Sequence, residues 1–331
     1  MTRICIVGAG AIGGWLGALL GQVADVQMSV LARGATLAAV QKNGLQLQRT
    51  LADGAAQKLH AAVRASDNAA DLGVQDVVII SVKAPALAAV AAQIVLMLSP
   101  STVVLSAMNG VPWWFLQGLG GALANQRLHS VDATGDIARL VPAQHVIGCV
   151  VHASCSTSAP GVVQHHFGNG LIIGEPSGTA TPRVQKLLAL LQQAGFAATL
   201  SPQIQRDIWY KLWGNMTMNP ISALTGATTD KILDDDLVCA YVSSVMLEAK
   251  AIGVKIGITI DQQPEDRHAV TRKLGAFKTS MLQDVEANKP VELDALVGAV
   301  QELGRRAQVP TPYTDALFGL ARLHAQARGL Y

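Results

Sequence analysis

The feature that most restricts what this chain can become lies near its start. Residues 3–7 (RICIV) form a short apolar run of buried-strand type. Gly8-Ala9-Gly10-Ala11-Ile12-Gly13 follows at once, a strict G-x-G-x-x-G that opens a helical segment. In that context each glycine has a physical task. Gly8 permits a tight turn, Gly10 lets backbone approach a pyrophosphate, and Gly13 lets the helix pack on the strand, with the helix N-terminus facing the phosphates. Strand, glycine loop and helix together predict a dinucleotide site.

The pattern continues in the same style. Residues 26–32 (VQMSVLA), 76–82 (DVVIISV) and 102–107 (TVVLSA) are continuous apolar runs, as parallel strands covered on both faces should be. Between the last two, Leu87, Val90, Ala91, Ile94 and Leu98 recur at helical spacing. Strand–helix–strand alternation predicts a doubly wound α/β sheet of Rossmann type. Further strands are expected at 148–154, 162–166 and 171–173, with turns at Pro160-Gly161 and over 168–170. After about residue 182 the period becomes helical. Val184, Leu187, Leu188 and Leu191 share a face, as do Leu237, Val238, Tyr241, Val245 and Ile252, and later Leu293, Leu296, Val297, Val300 and Leu303. Only 254–260 still reads as a short strand. The expected organisation is a dinucleotide-binding Rossmann domain over 1–200 and a mostly helical domain over 201–331, with a mobile tail from about His324.

Composition removes other classes. Of 331 residues, 50% are hydrophobic and only 15% charged, against about 25% charged in an average globular domain, which excludes a disordered or coiled-coil chain. Lys and Arg number 25 against 23 Asp and Glu, a net charge of +2, which excludes nucleic-acid binding by bulk charge. Residues 84–126 carry no charge, yet Pro85, Pro100, Asn109-Gly110 and Pro112 interrupt them, so no clean apolar run of about 20 residues is left for a membrane. Cys5, Cys149, Cys155 and Cys239 show neither CxxC nor metal spacing. A reduced, cytoplasmic protein without a metal or signal peptide is expected.

An NAD site usually has an acid about 20 residues after the glycine loop, gripping the ribose hydroxyls. Here the second strand ends Val30-Leu31-Ala32-Arg33-Gly34, and Arg33 stands in that place. A guanidinium can pair with a 2′-phosphate and stack on adenine, so NADPH/NADP is favoured. Lys83 and Asn109 occupy equivalent ends of the next two strands, where ligands of open α/β sheets sit. The most specific segment is 208–220 (IWYKLWGNMTMNP). On a helix, Lys211, Asn215 and Asn219 fall within an arc of roughly 80°, while Trp209, Leu212, Trp213, Met216 and Met218 are apolar. A solvated polar stripe fits such a helix poorly. Pro220 is expected to bend or end it after Asn219. Farther on, 278–284 (KTSMLQD) reads as a helix, Asn288-Lys289-Pro290 as a turn, and Glu292 as a first-turn acid opening another helix.

With these segments in hand, the chain resembles the ketopantoate reductase family (2-dehydropantoate 2-reductases). The matching stretches are GAGAIGG from Gly8, LARG from Leu31, SVKA from Ser81, NGV from Asn109, WYKLWGNMTMNP from Trp209 and TSMLQDVEANKPVELD from Thr279, in family order. The resemblance implies a Rossmann domain, a helical C-terminal domain and a cleft between them. It implies hydride transfer from NADPH to a 2-oxo acid, 2-dehydropantoate becoming pantoate on the way to pantothenate. It implies Lys211 as proton donor and Asn109, Asn215, Asn219 and Ser280 as substrate ligands. Gly8, Ala9, Gly10, Ala11, Ile12, Gly13, Arg33, Lys83, Asn109 and Glu292 are implied for the cofactor. Two departures stand out. Residues 225–229 (TGATT) lack an Asn that pantoate-making members can carry there, and the chain is longer than compact members around 113–121 and at its C-terminus. The rival readings are a paralogue reducing another 2-oxo acid and an NADP(H) sensor without turnover. The Lys211 face argues against a sensor, which needs no buried proton donor. The expected partner is a small 2-oxo acid, with no nucleic acid and no membrane, and a homodimer is left open.

NADPH is predicted to bind more tightly than NADH. Arg33→Ala should lose mainly NADPH affinity, by roughly 1.5–3 kcal/mol for a charge-assisted hydrogen bond. Fluorescence titration checks this, and equal affinity for the two cofactors in the unaltered protein would refute it.

Overall fold

The computed structural model describes residues 1–51 and 53–331. The chain forms two compact units, and the division is not a single cut near residue 200. The first unit is Met1–Met108 with Asp136–Ile204, and the second is Asn109–Gly135 with Gln205–Tyr331.

The first unit runs β1 (Thr2–Val7), α1 (Ala11–Leu20), β2 (Val26–Leu31), α2 (Gly34–Asn43), β3 (Leu45–Thr50), β4 (Ala56–Ala61), β5 (Arg64–Ser66), α3 (Ala69–Leu72), β6 (Val77–Ile80), α4 (Ala84–Ile94) and β7 (Val103–Ser106). After the excursion into the second unit come α5 (Asp136–Leu140), β8 (Val146–Ala159), β9 (Val162–Gly174), α6 (Pro182–Gln193) and β10 (Ala197–Leu200). The strands form one sheet in the order β4-β3-β9-β8-β7-β6-β1-β2-β5, with β10 beside β9. All pairings are parallel except β3 with β4 and β8 with β9. The chain leaves β1 for β2 on one side and later returns to β6 on the other. The glycine loop therefore sits at the switch point of the sheet, where α/β folds place ligands.

Every residue of β6 and β7 is buried, as their unbroken apolar runs require. Helix α1 approaches the sheet closely because Gly14 and Gly17 carry no side chain. A Cβ there would meet Val163 at 2.6 Å and Leu45 at 2.5 Å. Trp15 packs edge-on to Phe196, with ring centroids 4.9 Å apart. At the start of α6, the buried Glu175 carboxylate accepts from Thr181 and Arg183, whose guanidinium also donates to the carbonyls of Gln144 and Val146. That network satisfies a charge whose burial would otherwise be costly.

Several expectations are corrected here. The strands expected at 162–166 and 171–173 are one strand, β9, and residues 168–170 lie inside it rather than at a turn. The register against β8 shifts between His152 and Ser154, and Gly168 with φ of +80° absorbs the irregularity. Strands β3, β4, β5 and β10 lacked a continuous apolar run. In LQLQRT and AQKLHA, polar and apolar side chains alternate, because these strands are only partly covered.

The second unit contains α7 (Ile204–Thr225, all but its first residue), α8 (Thr229–Asp234), α9 (Asp236–Lys255), α10 (Pro264–Arg272), α11 (Ser280–Glu286), a π-helical turn (Asp294–Gly298), α12 (Ala299–Ala307) and α13 (Pro312–Ala327). Helix α7 passes through Pro220 and stops only at Thr225. Proline removes one helical donor, and the buried Ile221, Ser222 and Ala223 carry the final turn. Leu237 is exposed, since the buried face of α9 runs through Val242, Val245, Met246, Ala249 and Ile252. Residues 254–260 form no strand. The helix ends at Lys255, and Ile256, Ile258 and Ile260 are buried one at a time along the turn that follows. The expected mobile tail is docked. Helix α13 extends to Ala327, Leu330 is buried, and its carbonyl accepts from the Val291 N–H at 3.1 Å.

Among the described residues, α9 alone is long and apolar enough to cross a bilayer by length and composition, yet it packs against α12 and α13. The extra residues near 113–121 belong to the core. Trp113, Trp114, Phe115 and Leu116 are buried, the Phe115 ring lies 5.9 Å from that of Trp209, and Gln205 donates to the Gln117 carbonyl. Glu302 of α12 ties down the far end of this segment, accepting from the N–H groups of His129 (2.9 Å) and Ser130 (2.8 Å) and from Arg306.

Burial pushes the Glu302 carboxyl up. The N–H groups of Ser130 and His129 and the Arg306 guanidinium outweigh that and hold it below the usual carboxylate range. A folded-state value below the unfolded one, about 4.3, means the stabilisation is complete above that pH and is lost as pH falls through the folded value. Glu302→Gln should therefore lower the melting temperature at neutral pH. The gap to the unaltered protein should close on acidification below about pH 4. Thermal melts across pH check this, and a gap constant down to pH 3 would contradict it.

Candidate active site

In the first unit, side chains and backbone at the ends of three neighbouring strands build a cradle. Gly8 follows β1 with φ of +92°, and a Cβ there would strike the Val82 side chain at 2.6 Å. Gly13 is tighter still, with a Cβ 2.1 Å from the Gly8 carbonyl and 2.3 Å from the Ser81 hydroxyl. Ser81 closes the loop by donating to the carbonyls of Val7 and Gly8 at 3.2 and 2.9 Å. Gly10 differs, for a Cβ at this position meets nothing within 4 Å. No packing of the protein itself requires glycine there, so the open space beside it suits a pyrophosphate. Gly10 also precedes α1, which has no side-chain cap and no acid in its first turn, leaving its positive end for an anion. Arg33, exposed at the N-cap of α2 beyond β2, and Lys83, at the N-cap of α4 beyond β6, flank the loop from the two strands paired with β1. The residues present fit a nicotinamide dinucleotide with a 2′-phosphate.

In the second unit the central element is α7. Its tryptophans fix it. Trp213 is buried and donates through Nε1 to the Met246 carbonyl of α9 at 2.7 Å. Trp209 is buried against Gly253, where a Cβ would lie 2.8 Å from its Nε1. Truncating a buried Trp typically costs about 3–5 kcal/mol, so α7 is held firmly. Arg267 of α10 lies over the other flank. Its guanidinium stacks on the Tyr210 ring, 5.4 Å from the centroid, and its Nε comes within 2.6 Å of where a Cβ at Gly214 would be. Lys211 lies between these positions. Its Nζ donates to Asn109 Oδ1 at 2.9 Å, joining two residues 102 positions apart. Asn215 is half-buried and Asn219 buried, one and two turns farther along. Ser280 is exposed as the first residue of α11, behind the N-cap Thr279. Glu292 is buried just before the π-helical turn.

Sequence reading missed what holds Asn109 in place. Gly110 adopts φ of +77°, and a Cβ on it would lie 2.6 Å from the Ala295 carbonyl. The next residue, Val111, donates its N–H to that same carbonyl at 2.8 Å. The Asn-Gly pair signals a turn, but nothing local signals that the turn docks on a helix almost 200 residues away.

A switch-point glycine loop with basic flanks, and a lysine presented to an asparagine by a buried helix, define a nicotinamide-dependent oxidoreductase. The comparisons specify it further. The family model described as ketopantoate reductase PanE/ApbA matches residues 4–178, and its C-terminal counterpart matches residues 203–325. The chain belongs to the ketopantoate reductase family. It is 44% identical over 329 residues to a 2-dehydropantoate 2-reductase of Mesorhizobium japonicum, covering 99% of each chain. Its fold matches a candidate ketopantoate reductase of Ralstonia solanacearum MolK2 with a TM-score of 0.93 and 57% identity, covering 100% of this chain and 99% of that one. It also matches the 2-dehydropantoate 2-reductase of Geobacter metallireducens GS-15, with a TM-score of 0.83 and 26% identity over 97% of this chain and 99% of that one.

The glycines allow a sharp test. Gly10→Ala should leave the melting temperature unchanged, because the added methyl meets only open space, yet weaken NADPH binding at least tenfold. Gly13→Ala should destabilise the first unit by about 1–3 kcal/mol through overpacking. Melting curves with and without NADPH separate the two, and full NADPH affinity in Gly10→Ala would contradict the cradle.

Proposed function

We propose that the protein reduces 2-dehydropantoate to pantoate, with NADPH as hydride donor and Lys211 as proton donor. The observation that carries the residue assignment is the 2.9 Å hydrogen bond from Lys211 Nζ to Asn109 Oδ1. NADPH, when bound, supplies the hydride that reduces the keto carbon. The chain must then manage the charge that grows on the keto oxygen. Lys211 holds a proton at Nζ and delivers it to that oxygen, while its positive charge stabilises the oxygen as the charge develops. Asn109 accepts one ammonium proton and so fixes the direction of the other two. Asn215, Asn219 and Ser280 offer hydrogen-bond donors for the substrate carboxylate. On the cofactor side, Gly8 to Gly13 receive the pyrophosphate, Arg33 the 2′-phosphate, and Lys83, Asn109 and Glu292 the ribose and nicotinamide end.

Oxidation of NADPH, followed by its absorbance against a panel of 2-oxo acids, tests the reading. 2-Dehydropantoate should give the highest kcat/KM. A higher value for another 2-oxo acid would favour the paralogue, and no turnover with any of them would favour a sensor. Lys211→Ala should reduce kcat by about 10²–10⁴-fold while leaving NADPH affinity nearly intact. Near-normal turnover in this variant would remove Lys211 from the role.

A further inference from the structure

The π-helical turn at Asp294–Gly298 opens the helix that continues as α12, and its hydrogen bonds show what this wider turn accomplishes. In an α-helix the Ala299 N–H would donate to the Ala295 carbonyl, four residues back. Here it donates to the Asp294 carbonyl, five residues back. The Ala295 carbonyl is thereby released from the helix, and it accepts instead from Val111 N–H at 2.8 Å. Val111 is two residues from Asn109, and Asn109 Oδ1 holds Lys211 Nζ. The Asp294 side chain is fixed as well. Its Oδ1 accepts from the Tyr331 hydroxyl at 2.7 Å and lies 3.1 Å from where a Cβ at Gly298 would be. Leu330, buried beside it, accepts from Val291 N–H and so anchors the strand of chain that carries Glu292.

We propose that Tyr331 is a positioning residue for Lys211, acting through Asp294, the π-helical turn, the Ala295 carbonyl, Val111 and Asn109. The phenol holds the Asp294 carboxylate at the first residue of the π turn. This keeps the five-residue hydrogen bond in register and the Ala295 carbonyl turned toward Val111. Without it, the turn can relax to α-helical bonding, because Ala299 N–H can then return to the Ala295 carbonyl. Val111 would lose its acceptor, and the loop that aims Asn109 would loosen. π-Helical turns occur frequently at functional sites, and here the link from turn to lysine is two hydrogen bonds joined by the short backbone stretch from Val111 to Asn109. The inference rests on Lys211 being the proton donor.

The test uses Tyr331→Phe, which keeps the ring and removes only the hydroxyl. Expected is a fall in kcat of about tenfold, within the hundredfold that a 1 Å misplacement can cost. NADPH affinity by fluorescence should fall by less than kcat, because most of the cofactor contacts lie at the glycine loop, and the Val111 amide should exchange its hydrogen about tenfold faster. Asp294→Leu should reproduce these effects, and Asp294→Asn, whose amide oxygen can still accept from the phenol, should keep near-normal kcat. In an Asn109→Ala background, Tyr331→Phe should cost little more, because the shared path is already cut. Unchanged Val111 exchange, or fully multiplicative effects of Tyr331→Phe and Asn109→Ala, would overturn the proposal. Normal turnover in Lys211→Ala would instead overturn the proton-donor reading beneath it, so the two failures are distinct.

Discussion

The second unit depends on a buried indole. Trp213 gives its N–H to the Met246 carbonyl, and with Trp209 it sets α7 against α9. A helix carrying Lys211, Asn215 and Asn219 among apolar residues has no reason of its own to present those three in one direction. Packing decides the direction. Once the tryptophan side of α7 is fixed, the lysine has one place to go, and Asn109 meets it there. The residues of 113–117 complete the arrangement by covering the start of α7, which makes an apparent insertion part of the support for the site.

The first unit achieves its geometry mainly by leaving things out. Gly8 and Gly13 are required by contacts that the structure displays, while Gly10 is required by none. That contrast separates, within six residues, the glycines that packing requires from one that packing does not. The N-terminus of α1 belongs to the same economy, with no side-chain cap on its first N–H groups.

How much of this was legible in the sequence varied with the range of the interaction. β1, α1, β2, β6 and β7 were readable because their residues are apolar in continuous runs and their partners are parallel neighbours on both sides. β3 and β4 were not, because a half-covered strand of Gln, Arg and Lys resembles a loop. The helix of Lys211 was readable from its polar stripe. Its passage through Pro220 was not, since local rules count the missing donor and not the buried neighbours that keep the turn helical. Asn109 was singled out by its position after a strand, but its bond to Lys211 spans 102 residues and has no local signature. The docked end of the chain was missed for a related reason. A lone Leu330 after a polar stretch looks like a tail until Val291 supplies it with a partner.

Arg267 lies against the backbone of α7 at Gly214, with Tyr210 beneath its guanidinium. The arginine keeps this place only while position 214 has no side chain, since an added methyl would push the guanidinium aside, and the cost is a poor helix former in the middle of a 22-residue helix. A side chain at position 214 would therefore be felt first at Tyr210, which would lose the cation over its ring. The pair records in two letters a packing decision that neither residue reveals alone.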